Sequence, residues 1–305
     1  MEESSPLVDQ VAVYESTLRR GAGARAAAGG DRALTDLHQV IRARRARRAA
    51  PGVGQPARSA LAERAAVGDV AATGGDRPGR ILAIEQYGPT VRVFRVGRPA
   101  GFTFRAGQYL KLGVPGGKLE DFSVASAPHE PHIDLAIELR EGGRVTPALF
   151  GLRVGDPVEI GPNPKGKLQL HAAADHHLMV ATVTGIAPLR SMLLEALRRG
   201  SADRFTILHG ASYANELPFL DELAALAGEH DRIRYVPTVS RPAEAENRSW
   251  TGATGRVDPL ARMAAGGLDP ATTHVYAVGN AGMIKAVERD LGGAGFAVST
   301  ESYGG

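Results

Sequence analysis

From residue 80 onward, apolar and polar positions alternate with period two in five short runs: 80–85, 91–96, 109–114, 132–139 and 156–160. Alternation of this kind puts one face of a strand in a core and the other in water. Several closely spaced strands with no long helix between them predict an antiparallel barrel. After Asp175 the rhythm changes. Apolar runs at 178–183, 205–209, 233–239, 274–278 and 296–301 read as strands, and 188–199, 216–227 and 282–291 carry helical spacing. Pro188 suits a first helical turn, while Gly200 and Gly228 suit helix ends. Strands that alternate with helices predict a parallel, doubly wound sheet covered on its faces.

Residues 1–79 follow neither pattern. They are rich in Ala, Gly and Arg, and their apolar stripes are thin. Helices are expected over 6–18, where Leu7, Val11, Tyr14 and Leu18 share a face, over 35–48 behind Thr35, and over 59–67. Stripes this narrow suit a loosely packed extension better than an independent domain. The expected division is an N-terminal extension (1–79), a β-barrel domain (80–174) and an α/β domain (175–305). The fold class is therefore α/β plus all-β.

Charge sharpens that division. Residues 1–80 hold 13 Arg, no Lys and nine Asp or Glu, so the formal net charge of +3 belongs to the extension. The chain has no Cys, which excludes disulfides, thiolate nucleophiles and cysteine-held iron–sulfur clusters. No apolar run reaches 18 residues, and the opening Met-Glu-Glu-Ser-Ser lacks the cationic start of a signal peptide. A cytoplasmic protein without a membrane span is expected.

Candidate chemistry lies where strands end. Thr182-Val-Thr-Gly-Ile-Ala-Pro188 follows the first strand of the α/β part and opens a helix. Gly185 allows close backbone approach, and a helix N-terminus offers N–H groups to a pyrophosphate. The same residues also suit a plain strand–helix turn, and no G-x-G-x-x-G is present. Gly279 and Met283 occupy a second turn that faces the same crevice. Ser240 and Arg241 end another strand, where a hydroxyl and a guanidinium suit the 2′-phosphate of NADP, although taken singly they read better as a solvated loop. In the barrel part, Phe122-Ser-Val-Ala-Ser126 precedes Ala-Pro, and Gly142-Gly-Arg-Val-Thr146 precedes a helix-like run.

Taken together, in this order and spacing, these segments resemble the ferredoxin–NADP reductase superfamily over residues 80–305. Phe104-Arg-Ala-Gly-Gln-Tyr109 resembles the strand that enters the family's flavin barrel. Phe122, Ser123 and Ser126 are similar to its Arg-x-Tyr-Ser-x-x-Ser flavin motif, with Phe in the Tyr position. Gly143, Arg144, Val145 and Thr146 resemble its pyrophosphate turn. Thr184, Gly185 and Pro188 resemble its pyridine-nucleotide turn, and Gly279 with Met283 its Cys-Gly-x-x-x-Met segment. Glu301-Ser-Tyr303 is similar to the plant-type ending.

The resemblance implies an FAD-dependent enzyme that exchanges hydride with NADP(H), NAD(H) being the alternative. Ser123 would hydrogen-bond near flavin N5, Glu301 would assist proton movement, and Tyr303 would cover the isoalloxazine. Ser240 and Arg241 would favour NADP. Two positions depart from the family: Glu120 stands where it has an Arg, and Val278 where it often has a Cys. A carboxylate beside a diphosphate is repulsive, and Arg144, Lys118 and Arg105 are the cations available to offset it. With no Cys, the electron acceptor is expected to be separate, an acidic carrier such as ferredoxin or flavodoxin; Arg42–Arg48 reads first as a solvated arm and, functionally, as a dock for such a carrier. Trp250 is the single tryptophan, which argues against nucleic acid as that partner. No histidine pair has metal-ligand spacing. Two readings compete with this one. The first is an NADH-dependent reductase of an oxygenase system. The second is a reductase-like binding module with weakened FAD affinity.

Overall fold

The structure is a computed structural model and describes residues 78–302. The helices expected over 6–18, 35–48 and 59–67, the basic run Arg42–Arg48, and Tyr303 lie outside the described residues.

Six strands form an antiparallel sheet: β1 (Pro78–Tyr87), β2 (Val91–Gly97), β3 (Tyr109–Gly113), β4 (Glu120–Ser123), β5 (His132–Glu138) and β6 (Pro157–Ile160). Their order is β4-β3-β6-β1-β2-β5, and a bridge between Val124 and Leu135 brings the two edges together. Phe94, Val96, Leu110, Leu112, Ile133, Leu135 and Ile137 fill the interior, the arrangement their alternation requires. A short helix, α1 (Val145–Phe150), adds Val145 and Leu149 to that core.

A second six-stranded sheet holds β7 (His176–Thr182), β8 (Arg204–Ala211), β9 (Ile233–Val239), β10 (Ala253–Thr254), β11 (Thr273–Gly279) and β12 (Ala297–Ser302). All pairs are parallel, in the order β10-β9-β8-β7-β11-β12. β7 and β11 are nearly continuous runs of buried residues, as expected of central strands covered on both faces. Helices α2 (Ile186–Arg198) and α3 (Leu220–Glu229) cover one face, where Ile186, Leu189, Leu193 and Leu223 pack with Met179 and Ile207. On the other face, α4 (Val257–Ala265) and α5 (Ala281–Val287) pack Val257, Ala261, Met283 and Ile284 against Leu178, Val180 and Val275.

The structure differs from the expected elements in a few places. β4 is absent from the sequence reading, because Glu-Asp-Phe-Ser is too short and too acidic to show alternation. α4 is absent too, although Asp258 and Pro259 mark a first turn. The helix expected over 216–227 starts later, at Leu220; Glu216 ends a separate turn, Ala214–Glu216, and Pro218 lies between. That helix also runs past Gly228 to Glu229. Gly200, at φ 70°, follows the last residues of α2: its N–H bonds to Leu197 O and that of Ser201 to Ala196 O, closing the helix end. The helix expected over 282–291 is α5 followed by a wider turn, Glu288–Gly292.

Candidate functional site

The strand order reverses between β7 and β11, so the turns leaving their C-terminal ends open on one crevice. The barrel is fastened beside that crevice through the segment after β4. Ser191 Oγ donates to Ser126 O at 2.6 Å, and Arg190 Nη1 donates to Ala125 O at 2.7 Å. Arg190 also forks onto Glu222 through two 3.0 Å bonds and lies 4.5 Å from the Phe219 ring centroid. Its side chain is 5% exposed, so this is a buried charge held by several partners at once. Nearby, burial pushes the Asp134 carboxyl up, but the two Arg95 bonds at 2.8 and 2.9 Å, with His132, hold it well below the usual carboxylate range. Val93, Ala125 and Ala136 of the barrel join the apolar core beneath α2.

Between the two sheets lies a cleft of about 650 Å³. Its barrel wall is made by residues 120–123 of β4, 136–138 of β5, Arg140 and Thr146. Its other wall is made by the parallel-strand ends: residues 182–184, 210–212, 240, 255–258, 279, 280 and 283. Ser302 also lines it, and Ser123 Oγ donates to Glu301 Oε1 at 2.8 Å, joining the first wall to the last strand.

Two turns on the second wall lock against each other. A side chain at Gly185 would collide with Val278 O, and one at Gly279, where φ is 127°, would collide with Thr182. Asn280 N–H bonds to Thr182 Oγ1 at 2.8 Å. Asn280 Oδ1 in turn accepts the N–H groups of Gly282 and Met283 and caps α5. The close approach these glycines permit is therefore between turn and turn. α2 begins at Ile186 with no side-chain cap and continues directly from the turn Val183–Gly185. Val183 has φ 46°, and its carbonyl accepts His209 Nε2–H at 2.8 Å.

Of the residues singled out from sequence, Phe122, Ser123, Thr146, Thr184, Ser240, Gly279 and Met283 line the cleft. Others do not. Ser126 is buried off the wall, its hydroxyl accepting Asp134 N–H. Val145 belongs to the barrel core, and Gly185 and Pro188 are buried behind the wall. Gly143 and Arg144 are exposed and outside the lining. Arg241 donates to the Tyr213 hydroxyl at 3.0 Å, outside the lining. The sequence reading missed Ser212, Arg140 and Arg256 and gave no role to Thr182 and Asn280 within the two turns, although all five line the cleft. Arg256 was findable: it precedes the first turn of α4 and is oriented by Asp258, 3.0 Å from its Nε.

The acidic residues of the barrel wall carry their own counter-charges. Lys118 Nζ is 3.9 Å from Glu120, and Lys111 Nζ is 3.2 Å from Asp121. Of the three cations named for Glu120, Lys118 is the one in contact. Glu138 is pushed up by burial and by Glu216. The histidines His176, His177 and His274 sit at the opposite end of the sheet, bonded to Thr206, Tyr276 with Asp203, and Ser299. Among the described residues no group of three or more His, Asp or Glu is arranged to hold a metal ion. Nor is any described helix long and apolar enough to cross a membrane.

A family model described as an oxidoreductase NAD-binding domain matches residues 179–289. The chain is 38% identical over 219 residues to ferredoxin–NADP reductase B of Sorangium cellulosum, covering 68% of this chain and 88% of that protein. It is 30% identical over 191 residues to the reductase component of phenol 2-monooxygenase from a Pseudomonas species, 61% of this chain and 53% of that one. It thus spans about half the length of that relative. A solved ferredoxin NADP+ reductase from Neisseria gonorrhoeae with bound FAD and NADP aligns at a TM-score of 0.65 and 26% identity, over 74% of this chain and 97% of that one. A six-stranded barrel fastened beside a doubly wound sheet, with a cleft at the switch point, defines a flavin- and pyridine-nucleotide-dependent reductase. The chain belongs to the ferredoxin–NADP reductase superfamily and is an FAD-dependent NAD(P)H oxidoreductase.

Proposed function

We propose that the chain oxidises or regenerates NADP(H) and exchanges electrons with a separate acidic carrier protein of the ferredoxin or flavodoxin kind. The observation that carries the choice of NADP is the meeting of Ser212, Ser240 and Arg256 on the cleft wall at the ends of β8, β9 and β10. Two hydroxyls and a guanidinium oriented by Asp258 form a donor set that suits a phosphate monoester. Absence of Cys supports a carrier outside the chain.

The barrel wall fits FAD in its chemistry. β4 is an edge strand, so one row of its backbone groups faces away from β3, and Phe122, Ser123 and Thr146 add apolar surface and hydroxyls. Arg140 places a cation there, and Lys118 offsets Glu120. When bound, FAD supplies the hydride acceptance and the one-electron steps that side chains lack. The chain's own part is positioning, exclusion of water and proton handling. Ser123 Oγ holds a proton bonded to Glu301 Oε1, a short path between the cleft wall and the last strand. Tyr303 follows two residues later and is assigned the ring-covering role by family likeness alone.

A second reading, the NADH-dependent reductase of an oxygenase system, is favoured by Arg241, which rests on Tyr213 outside the cleft lining. Comparing coenzymes separates the two. The purified protein is expected to be yellow, to release FAD on denaturation, and to reduce a dye faster with NADPH than with NADH. Arg256→Ala should raise the KM for NADPH about tenfold while moving that for NADH little, the effect of losing one charge-assisted contact. Equal losses with both coenzymes would assign Arg256 to the shared pyrophosphate. A colourless protein that takes up no FAD would overturn the whole reading.

A further inference from the structure

We propose that His209 is a positioning residue for the pyridine nucleotide: it holds Val183 in a left-handed backbone conformation and so fixes the cleft wall that the nucleotide meets. This deepens the nucleotide-binding reading above and rests on it.

The starting observation is a strained residue in a place that matters. Val183 has φ 46°, and with Phe219 it is one of two non-glycine residues at positive φ among those described. A β-branched side chain is poorly suited to this region, because its Cβ crowds its own carbonyl. Val183 directly follows β7 and opens the turn Val183–Gly185 that leads into α2. Thr182, Val183 and Thr184 all line the cleft.

Strain of this kind persists only where the surroundings over-determine it. The flanks are clamped from β11. Thr182 Oγ1 accepts Asn280 N–H at 2.8 Å, and Gly185 is pressed against Val278 O. Val183 itself is gripped by His209, whose Nε2 lies 2.8 Å from the Val183 carbonyl oxygen. That oxygen can only accept, so Nε2 carries the proton. Nδ1 of the neutral ring then accepts from the Tyr235 hydroxyl, 3.0 Å away on β9. His209 is fully buried on β8, and burial pushes its pKa down to about 4, which keeps the ring neutral and the tautomer set near neutral pH. Tyr235 is buried too, and burial pushes its hydroxyl up, so it keeps its proton. A chain of donors therefore runs from the sheet interior, Tyr235 to His209 to Val183, and ends at the cleft wall.

His209 does not line the cleft, so it acts through Val183. Without a donor at Nε2, the Val183 carbonyl loses its buried partner and the backbone is released towards negative φ. That rotation re-aims Thr184 and the start of α2. Glycine at position 183 carries no such penalty, so a glycine turn should hold the same shape without His209.

Two polar replacements separate the roles of the ring nitrogens. His209→Asn keeps an amide near the Nδ1 position, within reach of Tyr235, but is too short for the Val183 carbonyl. His209→Gln extends an N–H towards that carbonyl. Binding of NADP+ to the FAD-loaded protein is read by difference absorption, and amide hydrogen exchange over residues 182–186 is read without nucleotide. His209→Asn should weaken NADP+ binding about tenfold, the scale of one lost buried bond, and speed exchange over the turn. His209→Gln should stay within about threefold on the same scale. In the Val183→Gly background, His209→Asn should shift the dissociation constant less than about threefold and leave exchange unchanged. Equal effects of His209→Asn with Val183 and with Gly at that position would overturn the inference, as would Asn and Gln behaving alike. If the parent protein binds no NADP+, the nucleotide reading fails, and the exchange data still decide whether His209 holds the turn.

Discussion

Ser123 Oγ donates to Glu301 Oε1 at 2.8 Å, joining the edge strand of the barrel to the outermost strand of the parallel sheet across 178 positions of sequence. Each residue alone is unremarkable: a serine at the end of β4 and a glutamate near the end of β12. Their bond gives the hydroxyl proton on the barrel wall a carboxylate acceptor on the last strand. Removing the hydroxyl with Ser123→Ala should lower the rate of flavin reduction by NADPH about 100-fold, the scale of a lost proton-handling group. The visible spectrum of bound FAD should be retained. Glu301→Gln keeps an acceptor for Ser123 but cannot take a proton, so it should cost less and flatten the pH profile. Stopped-flow reduction across pH reads both. Full rates in both variants would remove the pair from the chemistry.

The locked turns make a second prediction, on stability. Gly185→Ala drives a methyl into Val278 O, and Gly279→Ala drives one into Thr182 at φ 127°. Both should destabilise by about 1–3 kcal/mol or more, since the blocking atoms are backbone or a side chain already engaged with Asn280. Gly200→Ala is the contrast: its φ is 70° but nothing lies near a new methyl. It should cost about 1 kcal/mol, from backbone conformation alone. Urea midpoints of the three variants rank the effects.

The two sheets were legible in the sequence because each has a period that burial enforces: two in the barrel, and strand–helix alternation after it. β4 and α4 were not. β4 is a four-residue edge strand with two adjacent carboxylates, Glu120 and Asp121, so it carries no alternation. α4 buries only one large side chain, Val257, and otherwise Ala, which leaves little apolar contrast to read. The site shows the same split. Glycines and hydroxyls pointed to the strand-end turns, but not to the contact of Gly185 with Val278 O or the bond of the Ser126 hydroxyl to Asp134 N–H, because a requirement for small size or a hydroxyl does not say what is close. The partners of Arg190 and His209 come from other strands and helices, and no local pattern encodes such meetings.

Arg190 supplies the third prediction. It joins α2 to Ala125 O in the segment after β4 and to Glu222 on α3, with Phe219 beneath it at φ 61°. Arg190→Lys keeps the charge but cannot make the fork, leaving a buried ammonium and an unmet Ala125 carbonyl. The expected cost is about 3 kcal/mol, typical of breaking a buried pair from one side. Exchange should quicken over residues 123–126 and 190–191 together, because Ser191 bonds Ser126 O from the next position on α2. Quickened exchange confined to α2 would show that Arg190 does not fasten the barrel.

Acid should weaken the fold before it reaches the carboxylates. Burial lowers His176, His209 and His274 to about 4 in the fold, against about 6.5 in an unfolded chain. For a group depressed in this way, the unfolded chain takes up the proton first as pH falls. Stability is therefore complete above about pH 6.5 and declines from there towards pH 4. Each ring that titrates only in the unfolded chain adds a slope of up to about 1.4 kcal/mol per pH unit. Glu195, held at about 2 mainly by its bond to Arg198, and Asp134, held low by Arg95, contribute their loss only at lower pH. The urea midpoint should thus fall between pH 7 and pH 5, and His209→Gln, which cannot titrate, should make that fall shallower. A midpoint flat over this range would mean that the buried rings take up protons without unfolding.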